Sequence, residues 1–151
     1  MAMRVTQRDS LDLGIDAVDL KAAADTEYVS QLLDVSRAYA FFALVDIAET
    51  GAPTVGDARL LVRLYDKDKT TLRYELILLT GIQSDVDGNQ VAATWGYGLS
   101  PFHTDVAGGA VLHVNAEILK LAAYMRLVLA VGVANDGTTA TGTVNLWMAE
   151  I

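Results

Sequence analysis

Ser100, His103 and Asp105 fall within the hexapeptide SPFHTD, so a nucleophile, a base and an acid stand within six positions. A serine becomes a nucleophile when a histidine reaches its hydroxyl and an acid holds the imidazole in one tautomer, and such groups normally converge from separate segments. Neighbours on one short stretch do not converge, and no Gly-x-Ser-x-Gly elbow lifts the serine. The hexapeptide therefore reads as a polar loop between strands. His103 with Asp105, or with His113, would supply only part of a metal shell. A cupin-type jelly roll needs a His-x-His pair with a downstream Glu and His, and this chain has no His-x-His. Asp85-Val86-Asp87-Gly88-Asn89 opens like a calcium loop, but Gln90 and Gly96 stand where an EF-hand requires its glycine and its bidentate glutamate. That stretch reads as a hairpin turn. No catalytic residue, metal site or cofactor is expected, and the chain reads as a non-enzyme.

Trp95, Tyr97 and, after a turn, Phe102 offer a different chemistry. Alternate residues of a strand project from one face, and aromatic rings there can stack sugar rings or pack a subunit contact. No phosphate loop or dinucleotide fingerprint accompanies them.

The elements that position these residues are strands. The chain has 151 residues, 52% of them apolar and 20% charged, enough for one well-buried core. No stretch approaches the roughly 18 uncharged apolar residues of a membrane-spanning helix. MAMRVTQRDSLDLG lacks the apolar block of a secretory signal. The absence of cysteine removes disulfides, thiolate nucleophiles and Cys-ligated metals. A net charge of -8 opposes contact with a phosphate backbone, so neither nucleic acid nor membrane is an expected partner.

Met125, Leu127, Leu129, Val131 and Val133 alternate with more polar neighbours, as do Val144, Leu146 and Met148, and the Asn135-Asp136-Gly137 turn between them predicts a terminal hairpin with a flexible tip. Tyr124 and Trp147 on the alternate face are candidates for a subunit contact. ARLLVRLYDKDKTTLRYELILLTG predicts a second hairpin, with Leu60, Val62 and Leu64 on one face, turning at Asp66 to Lys69. RAYAFFALVDIAE is apolar on both faces from Ala40 to Val45, as a central strand covered on both sides would be. Further strands are expected at residues 31 to 36 and 91 to 99, and one short helix in NAEILKLAAYM. About eight strands at short spacing predict an all-β fold, a jelly-roll-like β-sandwich with at most one short helix.

Residues 1 to 25 differ from the sandwich domain expected over 26 to 151. Leu11, Leu13 and Ile15 alternate with Asp12, Gly14 and Asp16, a strand period built on residues that disfavour strands. This reads as an extended N-terminal arm, or as an edge strand of the same subunit. Arg4 and Arg8 are its candidate contacts with an acidic partner.

SQLLDVSRAYAFFALVDI and YMRLVLAVGVANDGTTATGTVNLWMAEI, together about a third of the chain, resemble the jelly-roll capsid decoration, or cement, proteins of tailed bacteriophages. The resemblance implies a non-enzymatic structural protein of the virion, made in the host cytoplasm. It would bind the outside of a phage head, with the major capsid protein and further copies of itself, as dimer or trimer, for partners. The alternative is a carbohydrate-binding or receptor-binding sandwich of a phage appendage, working through Trp95, Tyr97 and Phe102.

Overall fold

The computed structural model of the chain describes residues 4–51, 53–84, 90–95, 99–105, 109–114 and 122–150. Eight strands of six residues or more form its body: β5 (Ala38–Thr50), β6 (Asp57–Tyr65), β7 (Leu72–Ser84), β8 (Gln90–Trp95), β9 (Leu99–Asp105), β10 (Gly109–Val114), β11 (Tyr124–Val133) and β12 (Thr139–Glu150). Ahead of them come β1 (Arg4–Arg8), the helix α1 (Ser10–Leu13), and the short strands β2 (Val18–Asp19), β3 (Glu27–Val29) and β4 (Leu33–Asp34). Two antiparallel sheets result. Sheet I runs β1-β12-β5-β10-β9 with β2 also on β12, and sheet II runs β3-β11-β6-β7-β8 with β4 also on β11. The first long strand pairs with the last and the second with the second-last, the nested pairing of a jelly roll, while β7–β8 and β9–β10 pair with their sequence neighbours.

Period-two patterning builds the core. Phe41, Ala43 and Val45 of β5 and Val144 and Leu146 of β12 are fully buried, facing Leu60, Val62 and Leu64 of β6 and Met125, Leu127 and Leu129 of β11. The β6–β7 hairpin forms as its sequence predicts, and β5 lies inside sheet I between β12 and β10. Val133 leaves the expected face, because a register shift after Val131 turns it outward to 48% exposure.

The terminal hairpin does not form. β11 pairs with β6 and β12 with β5, so the loop between them carries the chain from sheet II to sheet I. Its tip is tied down rather than loose. Asp136 accepts hydrogen bonds from the Thr54 and Val55 amides at 2.8 and 3.1 Å and from the Thr54 hydroxyl at 2.6 Å, while Asn135 donates to Glu49 at 2.8 Å.

Residues 4 to 34 wrap the side of the sandwich where β11 and β12 lie. β1 and β2 pair along the edge of β12, the chain crosses layers, and β3 and β4 pair along β11. α1 interrupts the expected strand period over Leu11 and Leu13: Asp9 caps its N-terminus by accepting from the Asp12 amide at 2.8 Å, and Gly14 ends it at φ 84°. Ile15, Leu20, Leu33 and Val35 then plug into the interlayer core. Of residues 115–125, where one short helix is expected, 115–121 lie outside the described residues, and Tyr124 and Met125 open β11 instead.

Candidate interaction surfaces

The residues with the strongest chemical types sit on a backbone that was expected to be a loop. SPFHTD lies in β9, which carries Pro101 at a sheet edge, where a missing amide donor is tolerated. His103 stands opposite Val111 and Pro101 opposite Leu112, so Phe102 is the extra residue of a bulge. Among the described residues no group of three His, Asp or Glu side chains is placed to hold a metal ion. The Asp-rich turn at 85–89 and Tyr97 lie outside the described residues. Trp95 ends β8 in sheet II, whereas Phe102 belongs to β9 in sheet I, so these two aromatics occupy different layers.

The N-terminal candidates separate into two groups. Leu13 and Ile15 are 1% and 0% exposed and belong to this chain's own core, whereas Leu11 is 76% exposed. Register puts Arg4, Thr6 and Arg8 on the inward face of β1, opposite Glu150, Met148 and Leu146. Arg4 pairs with Glu150 at 2.8 Å and Arg8 with Asp12 at 3.0 Å. Inward charge on an edge strand discourages further strand addition, so β1 is a guarded edge. Its outward residues, Val5 and Gln7, stay in solvent.

The two outer faces of the sandwich differ in kind. On sheet II, Leu61, Val128 and Ala130 form a small apolar cluster of their own. Arg63 spans this face, donating to Glu27 at 2.6 Å and to Glu75 at 2.7 Å, and these bonds hold its guanidinium firmly protonated. Tyr124 lies on this face opposite Tyr65, with the Lys69 ammonium 5.2 Å from its ring centroid. Trp147 lies on the outer face of sheet I, so Tyr124 and Trp147 point from opposite sides of the molecule.

On sheet I the outer face is built in rows across the strands. Trp147 stands between Gln7 and Phe42, and Phe42 pairs on to His113. Ala149 stands between Val5 and Ala40, and Asn145 opposite Leu44, which pairs on to Val111. Asp46 and Asp105 appear only in the next row, at Thr143 and Gly109.

This sandwich is a fold found in a virus structure. Over 98% of its length the chain matches 32% of a chain in the structure of infectious bursal disease virus, Gx strain, at 10% identity and a TM-score of 0.51. It thus spans about a third of that chain's length. It also matches the SPBc2 prophage-derived protein YomS at 13% identity, covering 99% of this chain and 96% of that one, with a TM-score of 0.41. A chain in the capsid of Ralstonia phage GP4 matches at 13% identity over 99% of this chain and 84% of that one, with a TM-score of 0.40. No protein-family model matches the chain, and no curated protein does. At such identities the likeness is one of fold.

The sequence held only part of the signal for the sheet II ion bridge: the hairpin puts Arg63 and Glu75 on paired strands, but a turn confined to Asp66–Lys69 would set Arg63 opposite Leu72, and a longer connection with a register shift after Leu64 sets it opposite Glu75. The Asp136 contacts with Thr54 and Val55 join loops 81 and 82 residues apart and have no local signature.

Proposed function

We propose that this chain is a non-enzymatic viral structural protein, a capsid decoration or cement protein that binds the outer surface of a phage head and stabilises it. The observation that carries this reading is the rigid jelly-roll-like sandwich with its strapped side, a body suited to adhesion, whose fold also occurs in a virus structure. Its work would be done by surfaces, several modest contacts per oligomer adding through high effective concentration. The partners are the major capsid protein and further copies of itself, and the location is the virion surface, reached from the host cytoplasm during assembly.

Within this reading Arg4, Arg8 and Leu11 of the N-terminal segment are offered to the shell. Leu13 and Ile15 contribute by anchoring it. The test is co-sedimentation with expanded heads assembled from the major capsid protein of the same genome, using the full chain and a deletion of residues 2–8. That deletion removes β1 and spares the core residues that follow. Expected are binding by the full chain, a raised melting temperature of the shell, and weakened binding by the deletion. A full chain that never sediments with the heads would overturn the reading.

A further inference from the structure

We propose that two copies of this chain pack face to face through the outer surface of sheet I. The motivating contrast lies between the two outer faces. Sheet II's face carries Arg59, Arg63, Arg126, Glu27 and Glu75, and its apolar cluster lies beneath an ion bridge from the same chain. On sheet I three successive register rows, through Ala149, Trp147 and Asn145, pair no Lys, Arg, Asp or Glu among the described strand residues. One face of an antiparallel sheet is normally solvated and polar. Here Val5 and Gln7 are exposed and Leu44, Asn145 and Trp147 are half-buried, while Ala149 at 7% is covered, so the face is open to solvent at five of its described side chains. Depletion of charge with an aromatic at the centre marks the core of an interface.

Size and charge together select a second copy as the occupant. The three rows hold three, five and four paired positions, and these twelve, at about 4.8 by 6.8 Å each, give roughly 400 Å² of projected sheet. With side-chain relief added, that approaches the approximately 800 Å² of accessible surface that each partner buries in a stable interface. Each copy carries a net charge of -8, and an uncharged face is where two copies can meet without opposing like charges. Two such sheets stacked about 10 Å apart make an isologous pair, each strand set facing its own kind. The inference extends the functional reading by naming the face that joins copies, and its test uses no shell, so its failure leaves shell binding to be judged separately.

Sedimentation equilibrium over low to high micromolar concentration tests it, with Leu44→Lys and Leu44→Glu on the central strand, Leu72→Lys on sheet II as a control, and thermal melts to verify folding. Expected are a concentration-dependent dimer for the natural chain and an unchanged mass for Leu72→Lys. Self-association should weaken roughly 30-fold or more in each Leu44 variant. An equimolar mixture of the Lys and Glu variants should dimerise again, which a folding defect would not allow. If the Leu44 variants fail to fold, Trp147→Lys and Trp147→Glu supply the same comparison. A natural chain that stays monomeric throughout, variants that dimerise as before, or a mixture that stays monomeric would each overturn the proposal. Loss of shell binding by monomeric Leu44 variants of a natural chain that is itself monomeric would assign the face to the shell instead.

Discussion

Glu27 on the edge strand β3 accepts a 2.6 Å hydrogen bond from Arg63 on β6, reaching across the intervening strand β11. The bond does two things: it fastens a three-residue strand to the sheet, and, because Arg63 stands opposite Arg126 and Glu27 opposite Ala130, it carries the Arg63 stem across the intervening row of Leu61 and Val128. Because Glu27 is 38% exposed and Glu75 43%, charge attraction is screened, and the covering stem accounts for most of the effect. Arg63→Ala is expected to cost about 1–2 kcal/mol and Arg63→Met clearly less. Urea unfolding of both variants checks this; equal losses would mean that the charge, not the stem, matters.

Leu11, Leu13 and Ile15 looked equivalent in sequence and are not in the fold. Leu13→Ala and Ile15→Ala each empty a site in the interlayer core and should cost roughly 2–5 kcal/mol. Leu11→Ala should stay within about 0.5 kcal/mol. Denaturant midpoints of the three variants decide it, and a neutral Ile15→Ala would show that the segment does not dock on its own sandwich.

That difference marks where sequence reading stops. Period two identified the inward residues of β6, β12 and, as far as Val131, β11, because burying one face is a local pattern that each strand carries alone; β5, apolar on both faces from Ala40 to Val45, showed no such alternation. It also identified the β6–β7 hairpin, where a short polar turn leaves little choice of partner. It could not tell that β11 and β12 lie in opposite layers. The link from Val133 to Thr139 suits either a hairpin or an arch between sheets, and both leave the same residues facing the core. The choice depends on contacts far along the chain, such as Asp136 with Thr54. SPFHTD misled for the opposite reason: proline and polar residues read as loop, yet an edge strand with a bulge accepts both.

Asp68 and Asp136 should shape the acid limb of stability. Hydrogen bonds from Thr71 and Thr70, and from Thr54 and Val55, hold these carboxyls down at about 2 in the folded chain. An unfolded aspartate titrates near about 3.9, so as pH falls the unfolded chain takes up these protons first. Their contribution is therefore complete above about pH 4 and is lost as pH falls towards about 2. Thermal melts from neutral to strongly acid pH should show the natural chain losing stability across that window. Asp136→Asn should melt lower at neutral pH and show a shallower acid slope; an unchanged slope in Asp68→Asn/Asp136→Asn would rule this origin out.

At Gly142 of β12, Leu20 of the N-terminal segment and Leu129 of the opposite layer come together. A Cβ built there would lie 2.6 Å from Leu129 Cδ2 across the interlayer, with both methyl carbons of Leu20 at an ordinary contact distance of 3.4 Å, so the absent side chain is what lets Leu129 fill this end of the core. Gly142 has ordinary strand backbone, so the constraint is space rather than conformation. Gly142→Ala should cost about 1–3 kcal/mol through overpacking, although alanine suits a strand better than glycine. Leu129→Ala empties the volume that the new methyl would enter, so the double variant Leu129→Ala/Gly142→Ala should be more stable than the sum of the single losses implies, by roughly 0.5 kcal/mol or more. A double-mutant cycle in urea measures that coupling, and strict additivity would mean that Leu129 does not occupy the space above Gly142.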